Sequence, residues 1–231
     1  MLELDRIYNV TCLEGLQYLD DNSIDLTLTD PPWGQNIKYD GYDDSRENLI
    51  QIIKTSFPSL LKKSKRIAIS PGIANIFLYP QSDWILSVCW NTTGSRCRYG
   101  YNQWMPILLY GKDLKGMGKI NNVLKSDMIF INGGDGVGFR RKDISKQHPC
   151  PKPLNVIKQL ILRLSNEGDL ILDPFIGSGT TAVACKKLNR RFIGFEISPE
   201  YCEIANKRLM NVPQRLDLFI KGLKGGDVLS T

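Results

Sequence analysis

Asp30-Pro31-Pro32-Trp33 sets a carboxylate, two prolines and an indole in a row, directly after Ile24-Asp25-Leu26-Thr27-Leu28-Thr29, an apolar run with the pattern of a strand. Each proline fixes φ near −65° and has no N–H to donate, so the Asp30 carboxylate and the neighbouring carbonyls form a corner made only of acceptors. An amino group has two hydrogens to give to such a corner, and the flat face of Trp33 offers a surface on which a heteroaromatic ring can stack. The chemistry these residues suit is a reaction on the exocyclic amine of a base. Taken alone, the tetrapeptide is equally well explained as a Pro-rich turn that closes a strand, with Trp33 covering the core.

Far downstream, Leu170-Ile171-Leu172-Asp173-Pro174-Phe175-Ile176-Gly177-Ser178-Gly179-Thr180-Thr181-Ala182 reads as a strand, a glycine-rich turn and the start of a helix. Glycines permit a tight turn and close approach of a ligand, and a helix start presents free N–H groups. Asp173, Pro174, Phe175, Gly177, Ser178, Gly179 and Thr180 therefore form a candidate cofactor loop. Glu196, closing the next apolar run Phe192-Ile193-Gly194-Phe195, is placed to accept from ribose hydroxyls. Gly177-x-Gly179-x-x-Ala182 also fits the dinucleotide fingerprint, which keeps a nicotinamide- or flavin-dependent oxidoreductase in view. Asp173, however, repels a pyrophosphate and attracts a cation. S-adenosylmethionine, with its sulfonium and ammonium groups, suits that charge better.

In this order the two elements resemble the amino-methyltransferases that modify exocyclic amines of DNA bases, the N6-adenine and N4-cytosine family. The catalytic motif comes first and the cofactor loop last, as in the permuted β-type arrangement. His148-Pro149-Cys150-Pro151-Lys152-Pro153 is similar to the family's His-Pro-x-x-Lys-Pro segment, Ile7-Tyr8-Asn9-Val10 to its first strand, and Trp104-Met105-Pro106-Ile107-Leu108-Leu109-Tyr110-Gly111-Lys112 to a central strand. Three motifs in the right order are far more specific than any one. The resemblance implies one α/β domain with a doubly wound, mostly parallel sheet of the Rossmann-like, S-adenosylmethionine-dependent type. It implies catalytic roles for Asp30, Pro31, Pro32 and Trp33, and it groups Lys152 and Thr11 with the cofactor residues. Thr11 stands about where relatives usually carry an acidic residue, and Trp33 replaces the commoner Tyr.

In the family an Asp opening the catalytic motif goes mainly with adenine, and a Ser mainly with cytosine. The resemblance thus implies site-specific methyl transfer to N6 of adenine in DNA, with N4 of cytosine as the alternative. RNA or protein amines would suit the same corner, because the chemistry reads an amine and not its polymer. A non-catalytic DNA-binding protein would need a basic segment but not Asp30. A homodimer and a cognate restriction nuclease are partners compatible with the resemblance.

Charge is unevenly spread. Residues 1–50 carry eleven acids and three bases, whereas the whole chain of 231 residues has a net charge of +6, so the remainder is strongly basic. Residues 111–147 hold eight bases, four acids and seven glycines, with little apolar periodicity apart from Met128-Ile129-Phe130-Ile131. A solvated loop is the plain reading. The functional reading is a small target-recognition insertion over 112–146, with Arg140, Arg141 and Lys142 meeting phosphates and base edges, and Arg96 and Arg98 as a second basic site.

Other elements must hold these motifs in place. Leu49, Ile52, Ile53, Phe57 and Leu60 recur at helical spacing, with Pro58 expected to kink or end that helix, and Arg66-Ile67-Ala68-Ile69-Ser70 follows as a strand. Leu154, Ile157, Leu160, Ile161 and Leu164 predict another helix, and Ser198-Pro199 opens a last one. Alternating strands and helices call for parallel pairing with right-handed crossovers. Six cysteines without paired C-x-x-C spacing point to a reducing, cytoplasmic setting. His148, the one histidine, gives Cys150 no further partner for a zinc site. No apolar run is long enough to span a bilayer, which excludes a helical membrane protein.

Overall fold

The computed structural model describes residues 2–90, 96–97, 100–101, 103–111, 127–131 and 148–212. Chain order is β1 (Arg6–Tyr8), α1 (Cys12–Gln17), β2 (Leu26–Thr29), the hairpin β3 (Lys38–Tyr39) and β4 (Tyr42–Asp43), α2 (Arg46–Lys63), β5 (Arg66–Ile69), and a 3-10 helix (Ile73–Leu78). Then follow β6 (Trp84–Trp90), the hairpin β7 (Arg96–Cys97) and β8 (Gly100–Tyr101), β9 (Trp104–Gly111), β10 (Met128–Ile131) and α3 (Leu154–Leu164). The chain continues through β11 (Leu170–Asp173), α4 (Thr180–Lys187), β12 (Arg191–Phe195) and α5 (Pro199–Met210).

Eight strands form one sheet in the order β1-β12-β11-β2-β5-β9-β6-β10, in which only β9 runs antiparallel to its neighbours. Arg6 pairs with Ile193 and Tyr8 with Phe195, so the N-terminal strand completes the edge beside the C-terminal cofactor half. That is the pairing the permuted motif order requires. One face of the sheet buries Val156, Leu160 and Ile161 of α3 with Ala182 and Cys185 of α4. The other buries Leu16 of α1 with Leu49, Ile53, Phe57 and Leu60 of α2. Helical stripes on both faces make the sheet doubly wound.

Two elements differ from expectation. α2 runs unbroken from Arg46 to Lys63 through Pro58. Pro58 lies on the exposed side of that helix, so the Lys54 carbonyl left without its usual donor faces water, while buried Phe57 and Leu60 hold the next turn to the core. Met128–Ile131, inside the expected insertion, pairs in parallel with β6 as the outermost strand of the main sheet. Among the described residues no helix is long and apolar enough to cross a membrane.

Candidate active site

β2 and β11 are hydrogen-bonded neighbours, yet the chain leaves them in opposite directions, from β2 to α2 on one face and from β11 to α4 on the other. Where the winding of a parallel sheet reverses, a crevice opens outside the carboxyl ends of the strands. Here it is a cavity of about 290 Å³, lined among others by Asp30 after β2, Asp173 at the end of β11 and Glu196 after β12.

The glycine-rich turn needs its glycines. Gly177 has φ +51°, and a Cβ there would come 2.9 Å from His148 Nε2; Gly179, which caps α4, has φ +80° and would meet Ala205 Cβ at 2.7 Å. Asp173 is buried, with Oδ1 accepting from Thr29 Oγ1 (2.9 Å) and the Phe175 N–H (3.2 Å), and Oδ2 from Thr181 Oγ1 (2.6 Å). Burial pushes its pKa up to about 6 against those hydrogen bonds, and the nearby Asp30 charge adds to the rise. Glu196 accepts from the Gly177 N–H and the Ser198 N–H, both at 2.9 Å, and burial raises its pKa as well. Each of its oxygens keeps a second lone pair for a ligand.

Two side chains from elsewhere brace this half. Arg208 of α5 donates to the Ser178 carbonyl, to Ser178 Oγ (3.0 Å) and to Thr180 Oγ1 (3.2 Å). His148 packs between the rings of Tyr201 and Tyr39, with centroids 4.6 Å and 6.0 Å away. Its Nδ1 accepts from the Cys150 N–H, and burial, with the charges of Lys152 and Arg208, lowers its pKa to about 4. The ring is therefore neutral at pH 7 and carries its proton on Nε2. Thr11 lines the cavity, but its hydroxyl accepts from the Glu14 N–H and donates to the Glu14 carboxylate, capping α1.

At the catalytic corner Lys152, grouped by resemblance with the cofactor residues, ion-pairs with Asp30 Oδ2 and lies 4.7 Å from the centroid of the Trp33 ring. Pro151 and Lys152 line the cavity just ahead of Pro153, which caps α3, and the lysine reaches Asp30 at the end of β2. Asp30 Oδ1 is buried and has no hydrogen-bond partner among the described residues. Trp33 donates from Nε1 to the Ser70 carbonyl at 3.1 Å, and a Cβ on Gly72 would come 2.9 Å from Cδ2 and Cε3 and 3.3 Å from Cε2 of its ring. Those atoms are reachable only from above the ring, so Gly72 covers part of one face. Asp44, 2% exposed, accepts from the N–H groups of Gly34, Gln35 and Ile37 and fixes the chain leaving Trp33. The β3–β4 hairpin closes the cavity from the side, held where Ser198 Oγ donates to Asp40 at 2.6 Å.

These residues make a carboxylate-rich chamber in which one acidic oxygen, Asp30 Oδ1, has no hydrogen-bond partner among the described residues. The chain has recognisable relatives. Residues 24–207 match the DNA methylase model of the N6- and N4-type. The chain belongs to the N6/N4 DNA methylase family. The type II methyltransferase M.HpaI of Haemophilus parainfluenzae is 31% identical over 233 residues, covering 88% of this chain and 74% of its own. M2.DpnII of Streptococcus pneumoniae, also a type II methyltransferase, is 31% identical over 232 residues, covering 84% and 85%. The PvuII DNA methyltransferase, cytosine-N4-specific, shares the fold at a TM-score of 0.67 and 16% identity, over 94% of this chain and 90% of its own. The M1.HpyAVI complex with S-adenosylmethionine does so at 0.60 and 24% identity, over 88% and 98%.

The protein is thus an S-adenosylmethionine-dependent DNA methyltransferase of the N6-adenine or N4-cytosine type. The cavity fits that cofactor, since Asp30, Asp40, Asp173 and Glu196 line it against the single ammonium of Lys152 among the described residues, a balance that favours a cation. Asp30, Pro32, Asp173, Pro174, Phe175, Gly177, Ser178, Thr180, Glu196, Lys152 and Thr11 line one chamber, whereas Pro31, Trp33 and Gly179 are not among its lining residues. Arg98, Arg140, Arg141 and Lys142 lie outside the described residues, and of Arg96 only the backbone in β7 is described. Sequence reading missed Arg208, Asp44, Ser70 and the hairpin residues Tyr39, Asp40 and Tyr42, which carry no motif and meet the site only through the fold.

Proposed function

We propose that this methyltransferase acts on N6 of adenine at specific sites in DNA. The observation that carries the reading is Asp30, a carboxylate opening the catalytic motif on a residue that lines the cavity, with one oxygen held by Lys152 and the other buried without a hydrogen-bond partner among the described residues.

The bound cofactor supplies a methyl group made electrophilic by its sulfonium. Asp173 and Glu196 meet the cofactor's positive part and its ribose hydroxyls, and the loop Gly177–Thr180, braced by Arg208, keeps its backbone close to it. The target amine is a poor nucleophile because its lone pair is delocalised into the ring. Asp30 Oδ1 and the Pro31 carbonyl accept its two hydrogens and favour a tetrahedral nitrogen. As the nitrogen–methyl bond forms and the methyl–sulfur bond breaks, leaving a neutral thioether, positive charge gathers on that nitrogen, and Asp30 stabilises it more in the transition state than in the ground state; the methylated nitrogen then sheds one proton. Lys152 fixes the carboxylate through the other oxygen. Trp33 anchors the lysine, whose ammonium lies over its ring. A base in a duplex has to leave the stack to reach this depth. Residues 112–146, with Arg140, Arg141 and Lys142, supply the contacts to DNA, a role supported by their charge and by their place ahead of the Lys-Pro motif.

The test is incubation with labelled S-adenosylmethionine and separate DNA, RNA and protein pools, followed by mass spectrometry of the digested nucleosides. N6-methyladenine from the DNA pool is the expected product. N4-methylcytosine alone would refute the choice of base, and label confined to RNA or protein would refute the choice of polymer.

A further inference from the structure

A second orphaned polar atom lies beside Asp30. Ser70 is 5% exposed, its side-chain oxygen has no hydrogen-bond partner among the described residues, and it lines the same cavity. It follows β5 as Asp30 follows β2, and because Thr29 pairs with Ile69 in parallel register the two side chains leave adjacent strand ends at one level. The backbone holding them is built as one unit. The Ser70 N–H donates to the Thr29 carbonyl at 3.0 Å, Trp33 Nε1 donates to the Ser70 carbonyl, and Asn75 Nδ2 donates to the carbonyls of Trp33 (2.9 Å) and Pro71 (3.0 Å). A hydroxyl buried without a partner is costly, and a site that tolerates the cost at a rigid position is built for a group that arrives later.

We infer that Ser70 is the hydrogen-bond donor that reads the ring nitrogen next to the target amine. Adenine and cytosine share this edge, an N–H donor beside an unprotonated ring nitrogen. Asp30 Oδ1 takes the donor and the Ser70 O–H meets the nitrogen. Guanine, thymine and uracil present a carbonyl next to a ring N–H, and that carbonyl would point its oxygen at the Asp30 carboxylate. The pair therefore selects amidine-type bases by attraction on one side and repulsion on the other. The inference rests on the amine-methylation reading and holds for either base. Ser70 positions the base and exchanges no proton with it.

The experiment uses the full chain and a duplex whose methylated position has been located with the wild type. In that duplex the target base is replaced by its deaza analogue, 1-deazaadenine for adenine or 3-deazacytosine for cytosine, which keeps the amine and lacks the ring nitrogen. Ser70→Ala should lower the single-turnover rate at limiting enzyme on the natural base roughly tenfold, the scale of one hydrogen bond to a group otherwise left unpaired. It should leave the rate on the deaza base within about twofold of wild type, with cofactor affinity by calorimetry unchanged. An equal loss on both bases would show a merely structural role, and no loss on either would show that Ser70 does not touch the base; both overturn the inference. Absence of transfer to any nucleic-acid amine by the wild type would instead overturn the reading on which it rests.

Discussion

Asp173 offers the sharpest test of the cofactor half, because one substitution should make the protein more stable and worse at its task. In Asp173→Asn the amide oxygen can still accept from Thr29 and the Phe175 N–H, and the amide nitrogen can donate to Thr181, whose hydroxyl reverses its role. Only the charge is lost. Burial raises the Asp173 pKa from the ordinary 3.8 to about 6, so the folded state holds the proton more tightly than the unfolded chain. The stability associated with the neutral form is fully present below pH 4 and is lost as pH rises towards and through 6. Integrated over that window the ionised carboxylate costs about 3 kcal/mol at pH 8, and roughly half of that at pH 5. For a chain of this size the gain on neutralisation is about 6 to 12 °C in Tm at pH 8.

Calorimetric melting of the cofactor-free protein at pH 5 and pH 8 measures the effect. The Asn variant should melt higher at pH 8, with a gap that narrows by about half at pH 5. Cofactor affinity should move the opposite way. The wild type should lose affinity as pH falls through 6, about tenfold per pH unit at most, while the variant should be weaker at pH 8 and nearly flat. A Tm gap of equal size at both pH values, or a variant that melts lower at pH 8, would refute the idea that an ionised, desolvated Asp173 is kept for the cofactor's positive charge.

Three further outcomes follow from the geometry. Asp30→Ala should abolish methyl transfer while calorimetry finds S-adenosylmethionine affinity within a few-fold of wild type, because the cofactor side of the cavity belongs to Asp173 and Glu196; full turnover would remove Asp30 from the mechanism. Gly179→Ala should lower the unfolding free energy by about 2 kcal/mol or more in denaturant titration, since it combines a left-handed backbone with a contact of 2.7 Å to Ala205 Cβ. Replacing Arg140, Arg141 and Lys142 together by Ala should weaken DNA binding and flatten its salt dependence, by up to about 0.9 in the logarithmic slope per lost phosphate contact. Unchanged affinity and slope would move recognition to Arg96 and Arg98.

Motifs were legible wherever function rests on a short run of chain. Gly177-Ser178-Gly179 announces a turn that only glycine can make, and the order of motifs predicts that Ile7–Val10 lies beside Phe192–Glu196; the two strands do pair, over Arg6 to Tyr8 and Ile193 to Phe195. The periodic apolar residues of α2 and α3 likewise reveal two helices and their buried faces. What stayed hidden are pairings between distant positions. Lys152 and Asp30 are 122 residues apart, and nothing local in either segment foretells their ion pair. Ser70 looks like any strand-end serine until Trp33 is seen to donate to its carbonyl and Asn75 to that of Pro71, with the hydroxyl left alone among the described residues. Pro58 misleads for a related reason: a proline rule describes the cost within the helix, and here Phe57 and Leu60, packed in the core, outweigh it.

Asp30 and Asp173 close neighbouring parallel strands and face one cavity, so two like charges stand where the winding of the sheet reverses. Their surroundings divide the work between them. Asp173 receives three donors and is buried, which makes it a fixed charge at the end of its strand. Asp30 has a single cation on one oxygen and a buried second oxygen without a hydrogen-bond partner among the described residues, which suits it to the proposed role of accepting a hydrogen bond from an incoming amine. Lys152 is what lets this arrangement stand, because without its ammonium two desolvated carboxylates would repel across the sheet in the absence of the cofactor. On the proposed mechanism the lysine of the Lys-Pro segment therefore belongs to both halves of the chemistry: it would hold the acceptor for the base, and its charge would screen that acceptor from the carboxylate proposed to wait for the cofactor.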